Sequence, residues 1–244
     1  MLTVGSLFSG IGGIDLGLER SGMKVLWQVE IDPWCRAVLA KHWPDVERFE
    51  DVRSVGAHNL RPVDLIAGGF PCQDISVAGD GLGIDDGERS GLWSEFARIV
   101  RELRPRYVLV ENVSALLVRG LGRVIGDLAE GGYDAEWDCL PAVAIGAPHR
   151  RDRVFLVAHD RSKRVQGRWS RPLSRVPEFS WCQDVRRVED VRGRPDLPPP
   201  LLRGTRDGVP LWVDRLRGLG NAVVPPLVEI VGRRIVEAEA EVNS

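Results

Sequence analysis

The chain has 244 residues, 43% of them apolar, which is enough to bury the core of one large α/β domain. Its four cysteines are far apart and form no C-x-x-C pair, which argues against a disulfide framework or a zinc site, so we expect reduced thiols and no metal. The net charge is only -2, no run approaches about 18 consecutive apolar residues and no basic leader opens the chain, so we expect a cytoplasmic protein without membrane association.

The first part of the chain alternates short β-rich runs with stretches of helical spacing. Strands are predicted over residues 3–8, 24–29, just before Asp51 and over 63–67, and helices over 14–20 and 33–42. The second helix begins with proline, which favours the first turn of a helix. The mostly apolar run at 63–67 is typical of a strand buried on both faces.

The alternation continues to about residue 160. Helices are predicted over 92–103 and 119–130, and strands over 107–110, 135–140 and 154–158. The first of these strands ends at Glu111-Asn112. Strand–helix alternation of this kind predicts the α/β class, with a parallel, doubly wound sheet.

The composition changes near residue 161. Arginine, tryptophan and proline accumulate over 161–208 without periodicity, which we interpret as a compact, loop-rich insertion. Order returns over 214–221, and a closing helix is predicted over 226–239. The predicted organisation is therefore one α/β domain over 1–160, the small insertion, and a segment over 209–244 that returns to the first domain.

The insertion also concentrates positive charge. Residues 161–207 hold 12 Lys or Arg and 6 Asp or Glu, a local net charge of +6, so the rest of the chain sums to -8. A basic segment in an acidic protein is typical of a surface that docks a phosphate backbone. A solvated arginine-rich loop without a partner would give the same pattern, and charge alone does not separate the two.

A glycine cluster, F-S-G-I-G-G over residues 8–13, follows the first strand and opens a helix. Glycines there let the backbone approach a ligand, and the helix amino terminus adds about half a positive charge. Glu30 is placed to accept from ribose hydroxyls, and Asp51 could accept from an adenine amino group. The cluster departs from G-x-G-x-x-G because residue 15 is Asp, which disfavours a dinucleotide. A plain tight turn is the alternative.

The stretch G-G-F-P-C-Q-D-I-S places Cys72 directly after Pro71 at the end of a predicted strand. Ligands of α/β sheets gather at the carboxyl ends of strands, so Cys72 and Glu111 could face one substrate. Alternatively, Cys72 is a small buried hydrophobe, and Glu111 is a helix N-cap or pairs with Arg106. The run over 148–153 could be a solvated turn. Zinc deaminase chemistry needs a second cysteine and an H-x-E motif, which are both missing.

The segments F-S-G-I-G-G, E-I-D, D-V, G-G-F-P-C-Q-D-I-S, E-N-V, H-R-R-D-R-V-F and G-N-A-V-V-P, in this order, resemble the motif series of DNA cytosine-5 methyltransferases. The match runs from residue 3 to about 160 and resumes from about 205 to 236. The chain is similar to the short, solitary members found in phages and prophages. The resemblance implies a Rossmann-like S-adenosylmethionine-dependent methyltransferase fold with a doubly wound, mostly parallel sheet. It also implies that residues 161–208 form the small region that recognises the target.

The resemblance also implies a chemistry. Cys72, whose backbone Pro71 would hold rigid, would add to C6 of a cytosine flipped out of double-stranded DNA. C5 of the cytosine would then accept the methyl group of S-adenosyl-L-methionine, and S-adenosyl-L-homocysteine would be released. Glu111 would engage N3 and the exocyclic amine, with Asn112 holding this geometry. Arg153 would face the cytosine O2. The loop after Cys72 would close over the base, and the enzyme would act as a monomer in a prokaryotic or phage-infected cell, without an obligatory protein partner.

The remaining implied roles concern the cofactor and the support of the site. Arg151 would be the structural companion of Arg153. Phe8 would pack on the adenine, and Asn221 would close the cofactor pocket. The cofactor-binding residues that the resemblance implies are Phe8, Ser9, Gly10, Gly12, Gly13, Glu30, Ile31, Asp51, Val52, Gly69, Pro71, Asn221 and Ala222.

Two other functions fit the same motifs. A tRNA cytosine-5 methyltransferase would share the fold and the reacting groups. A catalytically inactive DNA-binding regulator would share the fold alone, but it would be expected to lose the nucleophile, whereas Cys72, Glu111 and Arg153 are all present.

Overall fold

The computed structural model describes residues 1–71, 91–145, 147, 151–162 and 222–242. The strands in this part of the chain are β1 (Thr3–Leu7), β2 (Lys24–Val29), β3 (Glu47–Phe49), β4 (Leu65–Gly68), β5 (Tyr107–Val113), β6 (Tyr133–Leu140) and β7 (Arg153–Asp160). The helices are α1 (Gly13–Arg20), α2 (Pro33–His42), α3 (Leu92–Leu103), α4 (Leu116–Arg119), α5 (Leu121–Glu130) and α6 (Pro225–Val242). Short 3-10 helices cover Val52–Ser54 and Ala142–Ile145.

The seven strands form one sheet in the order β3-β2-β1-β4-β5-β7-β6. The first five strands in this order are parallel, and β7 runs antiparallel to both β5 and β6. The chain moves outward from β1 to β3 and then returns to place β4 on the other side of β1. This reversal opens a crevice at the carboxyl ends of β1 and β4, where ligands of doubly wound sheets bind.

Helices cover both faces of the sheet, as the predicted doubly wound fold requires. On one face, α3 and α5 bury Trp93, Phe96 and Val124. On the other face, α1 and α6 bury Leu18 and Val228. The central strands are buried on both sides, which explains why their sequences are almost continuously apolar.

The predicted bounds of β2, α2 and α3 are confirmed without change. The first strand ends one residue earlier than predicted, because Phe8 adopts a φ of 53° and leaves the sheet. The strand predicted over 63–67 begins at Leu65, and the final helix is longer at both ends than predicted. The helix predicted over 119–130 begins at Leu121, because the chain is extended at Gly120, with a φ of -173°, and Arg119 ends a separate helix, α4.

The sheet is mostly parallel, as predicted, and β7 is the strand antiparallel to its neighbours. The predicted end of one strand was wrong. The strand predicted over 107–110 continues to Val113, because β7 pairs with its last residues, opposite Phe155 and Val154. Glu111 and Asn112 therefore lie within β5 rather than beyond its end.

Several predictions concern residues outside the described part of the chain. These are Cys72, the loop over 77–91 except for its last residue, residues 148–150, most of the insertion over 161–208, and the stretch over 214–221. In the part of the chain that the structure describes, no helix combines the length and the apolar character needed to span a bilayer.

Candidate active site

A cavity of about 560 Å³ lies at the carboxyl ends of β1, β2, β4 and β5. This volume is within the range of small-molecule sites, roughly 300–1,000 Å³. The residues predicted from the sequence that line it are Phe8, Ser9, Gly10, Gly13, Glu30, Ile31, Asp51, Val52, Gly69, Pro71, Glu111, Asn112, Arg153 and Ala222. The reversal of strand order thus gathers residues from both ends of the sequence at one cavity.

The glycine cluster forms a sharp turn between β1 and α1, with positive φ at Phe8, Gly10 and Gly12. A β-carbon at Gly10 would project into open space, with no heavy atom within 4 Å, so its backbone is accessible to a ligand. A β-carbon at Gly12 would instead lie 2.4 Å from the ring of Trp43. Gly12 is the one predicted glycine that does not line the cavity, and it packs behind the turn.

Glu30, at the end of β2, links two segments of the cavity wall. One carboxylate oxygen accepts from the backbone N–H of Gly10 at 2.7 Å, and the other accepts from that of Asp32 at 2.8 Å. Burial raises the pKa of Glu30, while these two hydrogen bonds oppose the shift. Because each carboxylate oxygen has a second lone pair, both can still accept a hydrogen bond from a ligand.

Asp51 lies at a more exposed rim of the same cavity. Its carboxylate accepts from the backbone N–H of Arg53 at 2.9 Å and so caps the 3-10 helix that follows. Val52 is buried beside it. The capping bond fixes the orientation of the Asp51 side chain at this rim.

Glu111 carries the buried carboxyl of the cavity, at 8% exposure. Nε of Arg153 lies 3.0 Å from its Oε1. Burial raises the pKa of Glu111 to about 7, and the positive charges of Arg153 and Arg151 oppose the shift. Both alternatives for Glu111 are wrong: it lies within a strand rather than at a helix N-cap, and Arg106 pairs with Glu239.

Asn112 connects β5 to the segment that leads to Cys72. Its Nδ2 donates to the carbonyl of Phe70 at 3.2 Å, and its Oδ1 accepts from the backbone N–H of Val113 at 2.9 Å. Pro71, the next residue after Phe70, lines the cavity. The described chain therefore reaches Pro71 at the cavity wall, with its backbone tied at Phe70 to the strand that carries Glu111.

Arg151 lies behind the wall rather than in it. It has a positive φ of 37°, and its guanidinium donates to the carbonyl of Ala222. A β-carbon at Gly13 would lie 2.9 Å from the carbonyl oxygen of Val223, which shows how closely this segment packs on the glycine turn. Arg151 thus ties the segment that leads into α6 to the start of β7, and the same segment packs on the glycine turn through Val223.

Sequence reasoning missed several lining residues: Ile11, Ile14, Val29, Asp32, Cys35, Glu50, Arg53, Phe70, Leu92, Val113 and Val223. Asp32 had a recognisable signal, because Asp before Pro33 is typical of a helix N-cap. Its carboxylate accepts from the backbone N–H groups of Trp34 and Cys35. Leu92 had no such signal in the sequence. It reaches the cavity because α3 begins there. Cys72 and Asn221 lie outside the described residues.

The strand order and the cavity at its reversal define a Rossmann-like fold of the S-adenosylmethionine-dependent methyltransferase type. Within this class, a family model for C-5 cytosine-specific DNA methylase matches residues 2–199. The chain belongs to this family.

Two curated Type II methyltransferases resemble the chain over much of its length. The Type II methyltransferase M2.BsuMI of Bacillus subtilis is 41% identical over 236 residues, covering 93% of this chain and 56% of that protein. M.Eco47II of Escherichia coli is 38% identical over 186 residues, covering 71% and 44%. The chain thus spans about half the length of these curated relatives.

A solved structure shows the same fold. It is a candidate DNA modification methyltransferase encoded within an E. coli prophage, with a TM-score of 0.57 and 32% identity. The match covers 66% of this chain and 47% of that protein.

Proposed function

We propose that the protein transfers a methyl group from S-adenosyl-L-methionine to C5 of cytosine in double-stranded DNA. The observation that carries the proposal is the buried Glu111–Arg153 pair, which shares one cavity with Glu30, the glycine turn and Pro71. This arrangement supports a single space that holds both the methyl donor and a pyrimidine. Membership of the C-5 cytosine-specific DNA methylase family supports this assignment.

The residues of the cavity fit the methyl donor. Gly10 would let the donor approach the backbone at the turn, Glu30 would accept from the ribose hydroxyls, and Asp51 would accept from the adenine amino group. Phe8 and Ile31 offer apolar surface on the same wall, and Ile31 is 66% exposed. S-adenosyl-L-methionine, when bound, supplies an electrophilic methyl group.

In the proposed mechanism, the thiolate of Cys72 adds to C6 of the cytosine, and the electron pair of the C5–C6 double bond moves into the ring toward N3 and O2. Glu111, whose pKa is about 7, can supply the proton at N3, and Arg153 can stabilise the charge at O2. C5 then bonds to the methyl carbon, and the bond between that carbon and sulfur breaks, releasing S-adenosyl-L-homocysteine.

The second half of the cycle restores the aromatic ring. Water or hydroxide removes the proton from C5, its bonding electrons re-form the C5–C6 double bond, and the bond from C6 to the Cys72 sulfur breaks to regenerate the thiolate. N3 returns its proton to the Glu111 carboxylate, which leaves neutral 5-methylcytosine and restores the acid for the next cycle. A cytosine stacked in a duplex cannot reach this cavity, so the base must be extruded, at a cost of a few kcal/mol. The basic segment over 161–208 would supply the phosphate contacts and the reading of the target sequence.

Transfer of tritium tests the proposal. The protein is incubated with S-adenosyl-L-methionine labelled in the methyl group and with double-stranded DNA, which is then hydrolysed to nucleosides. We expect label in 5-methylcytosine, its loss in Cys72→Ala, and wild-type label in Cys139→Ser, because Cys139 lies on β6 away from the cavity. Absence of label from 5-methylcytosine, or full activity in Cys72→Ala, would contradict the proposal.

Two further experiments separate the proposed activity from the two alternative functions. A tRNA acceptor that is labelled in preference to DNA would indicate the tRNA-methylating branch. DNA containing 5-fluorocytosine should trap the protein as a denaturant-resistant adduct, because fluorine at C5 cannot leave as the proton does. DNA binding without any adduct would favour the inactive regulator.

A further inference from the structure

The backbone conformation at Gly69 does not require a glycine. Among the described residues, the glycines with positive φ are Gly10, Gly12, Gly22 and Gly132. Gly69 is not one of them, so an L-residue could adopt its backbone conformation without strain. The reason for a glycine at this position must therefore be space.

The space in question is occupied by Glu111. A β-carbon at Gly69 would lie 2.8 Å from Oε2 of Glu111 and 3.2 Å from its backbone oxygen. On its other side the same carboxylate meets Arg153, whose Nε lies 3.0 Å from Oε1. Parallel pairing of Gly68 with Val110 fixes the register of the two strands, so the backbones cannot slide apart. The carboxylate is thus held between the α-carbon of Gly69 and the guanidinium of Arg153.

The neighbouring glycine has a different reason. A β-carbon at Gly68 would lie 2.4 Å from the carbonyl oxygen of Leu7, in the adjacent strand, and 3.0 Å from the ring of Phe96. Gly68 therefore allows β1 and β4 to pack in the sheet. Of the two consecutive glycines, only Gly69 meets the reacting carboxyl.

We propose that Gly69 is a positioning residue for the reaction, and that its missing side chain is what lets the Glu111 carboxylate lie against Arg153 and face the cytosine. The role rests on the proposed function. It differs from the cofactor contact that the sequence predicted for Gly69, because it acts through Glu111. A methyl group at residue 69 would displace the carboxylate by roughly a few tenths of an ångström to an ångström. Catalytic groups that must be aligned with the reacting atoms do not tolerate a shift of that size.

The kinetic test is Gly69→Ala. We expect kcat for DNA methylation to fall roughly tenfold to a hundredfold, with the Kd for S-adenosyl-L-methionine, measured by calorimetry, within about threefold of wild type. The matched control is Gly126→Ala on α5, where a β-carbon would meet no atom within 4 Å and both quantities should be unchanged. A weakened donor Kd with unchanged kcat would instead assign Gly69 to the cofactor and overturn the proposal.

A stability cycle tests the contact without any methylation assay. Gly69→Ala should lower the Tm of the wild-type protein by several degrees, but lower it much less in the Glu111→Ala background, where the carboxylate is gone. Equal losses in the two backgrounds would show that the glycine serves only the backbone, and would overturn the proposal. If wild-type protein fails to methylate DNA, the proposed function fails, and the cycle still reports whether Glu111 meets residue 69.

Discussion

Near neutral pH the carboxyl group of Glu111 is partly protonated and partly ionised, because burial raises its pKa to about 7. Only the protonated form can donate to N3 of a cytosine, and this form predominates below pH 7. Glutamine at this position donates at every pH but cannot transfer a proton. The difference between the two side chains should therefore depend on pH.

We expect the single-turnover rate of wild type to exceed that of Glu111→Gln by roughly 10²–10⁴ at pH 6. This ratio should be constant below pH 7 and fall about tenfold per pH unit above it. Dividing the two rates removes the pH dependence of the Cys72 thiol, which both proteins share. Glu237→Gln, an exposed change on α6, should give a ratio near one throughout. A wild-type to Glu111→Gln ratio that does not vary with pH would rule out proton donation by Glu111.

Asp15 is a second buried carboxyl, fully enclosed beneath the glycine turn. It accepts from the hydroxyl of Ser6 at 3.0 Å and from Nε2 of Gln28 at 2.9 Å. Burial nevertheless raises its pKa from 3.8 to about 6. A carboxyl whose pKa is higher in the folded protein destabilises the fold when ionised, so the penalty is absent below about pH 4 and complete above about pH 6.

Asp15→Asn should therefore raise the free energy of unfolding at pH 8, by roughly 2–3 kcal/mol, and leave it almost unchanged at pH 4. Urea unfolding at the two pH values measures the difference. Asp45→Asn, at an exposed position before β3, provides the control and should show no such pH dependence. Destabilisation by Asp15→Asn at pH 8 would mean that the two hydrogen bonds outweigh the cost of burying the charge.

At this scale, the sequence predicted the residues that line the cavity better than their surroundings. The places of Glu111, Arg153 and Glu30 in the cavity could be predicted because their motifs are local and their chemistry is restrictive. The different roles of Gly10 and Gly12 could not, because they depend on Trp43, which α2 brings back against the turn. The partner of Arg151 lies 71 residues away at Ala222, and no local pattern encodes such a distance.

At the scale of elements, α1 and α6 pack closely because Gly17 and Gly232 leave room at their crossing. A β-carbon at Gly17 would lie 2.5 Å from the carbonyl oxygen of Pro225 and 2.5 Å from Cβ of Val228. A β-carbon at Gly232 would lie 2.5 Å from the hydroxyl of Ser21. Each helix could be predicted from its periodicity, whereas the crossing depends on which faces meet.

Gly17→Ala should therefore destabilise the protein by roughly 1–3 kcal/mol, although alanine is the better helix former, because the added methyl overpacks this crossing. Gly122→Ala on α5, where a β-carbon would meet no atom within 4 Å, should stabilise by up to about 1 kcal/mol. The midpoints of urea unfolding, compared at equal m-values, give the change in the free energy of unfolding for both substitutions. The same sign for the two substitutions would contradict the close approach of α1 and α6.

At the scale of the whole molecule, the cavity joins segments from the beginning and the end of the described chain. Glu30 holds the glycine turn, and the Ala222–Val223 segment packs on that turn from the other side. A ligand in this space would bind the folded protein and not the unfolded chain. Its binding free energy would therefore add to the free energy of unfolding.

S-adenosyl-L-homocysteine at 100 times its Kd should raise the free energy of unfolding by about 2.7 kcal/mol. At the same ligand concentration, Glu30→Ala should lose most of this gain, because the ribose acceptor is missing and the turn loses two hydrogen bonds. Thermal unfolding with and without the ligand measures both effects, with Glu237→Gln as the control. An undiminished gain in Glu30→Ala would place the ligand elsewhere.

The hydrogen bond from Arg151 to Ala222 ties the start of β7 to the segment that leads into α6. β7 pairs with the strand that carries Glu111, and the segment before α6 packs on the glycine turn at Gly13. A displacement at either end of this bond would therefore be transmitted to the other. The two opposite walls of the cavity should consequently shift in concert and not independently.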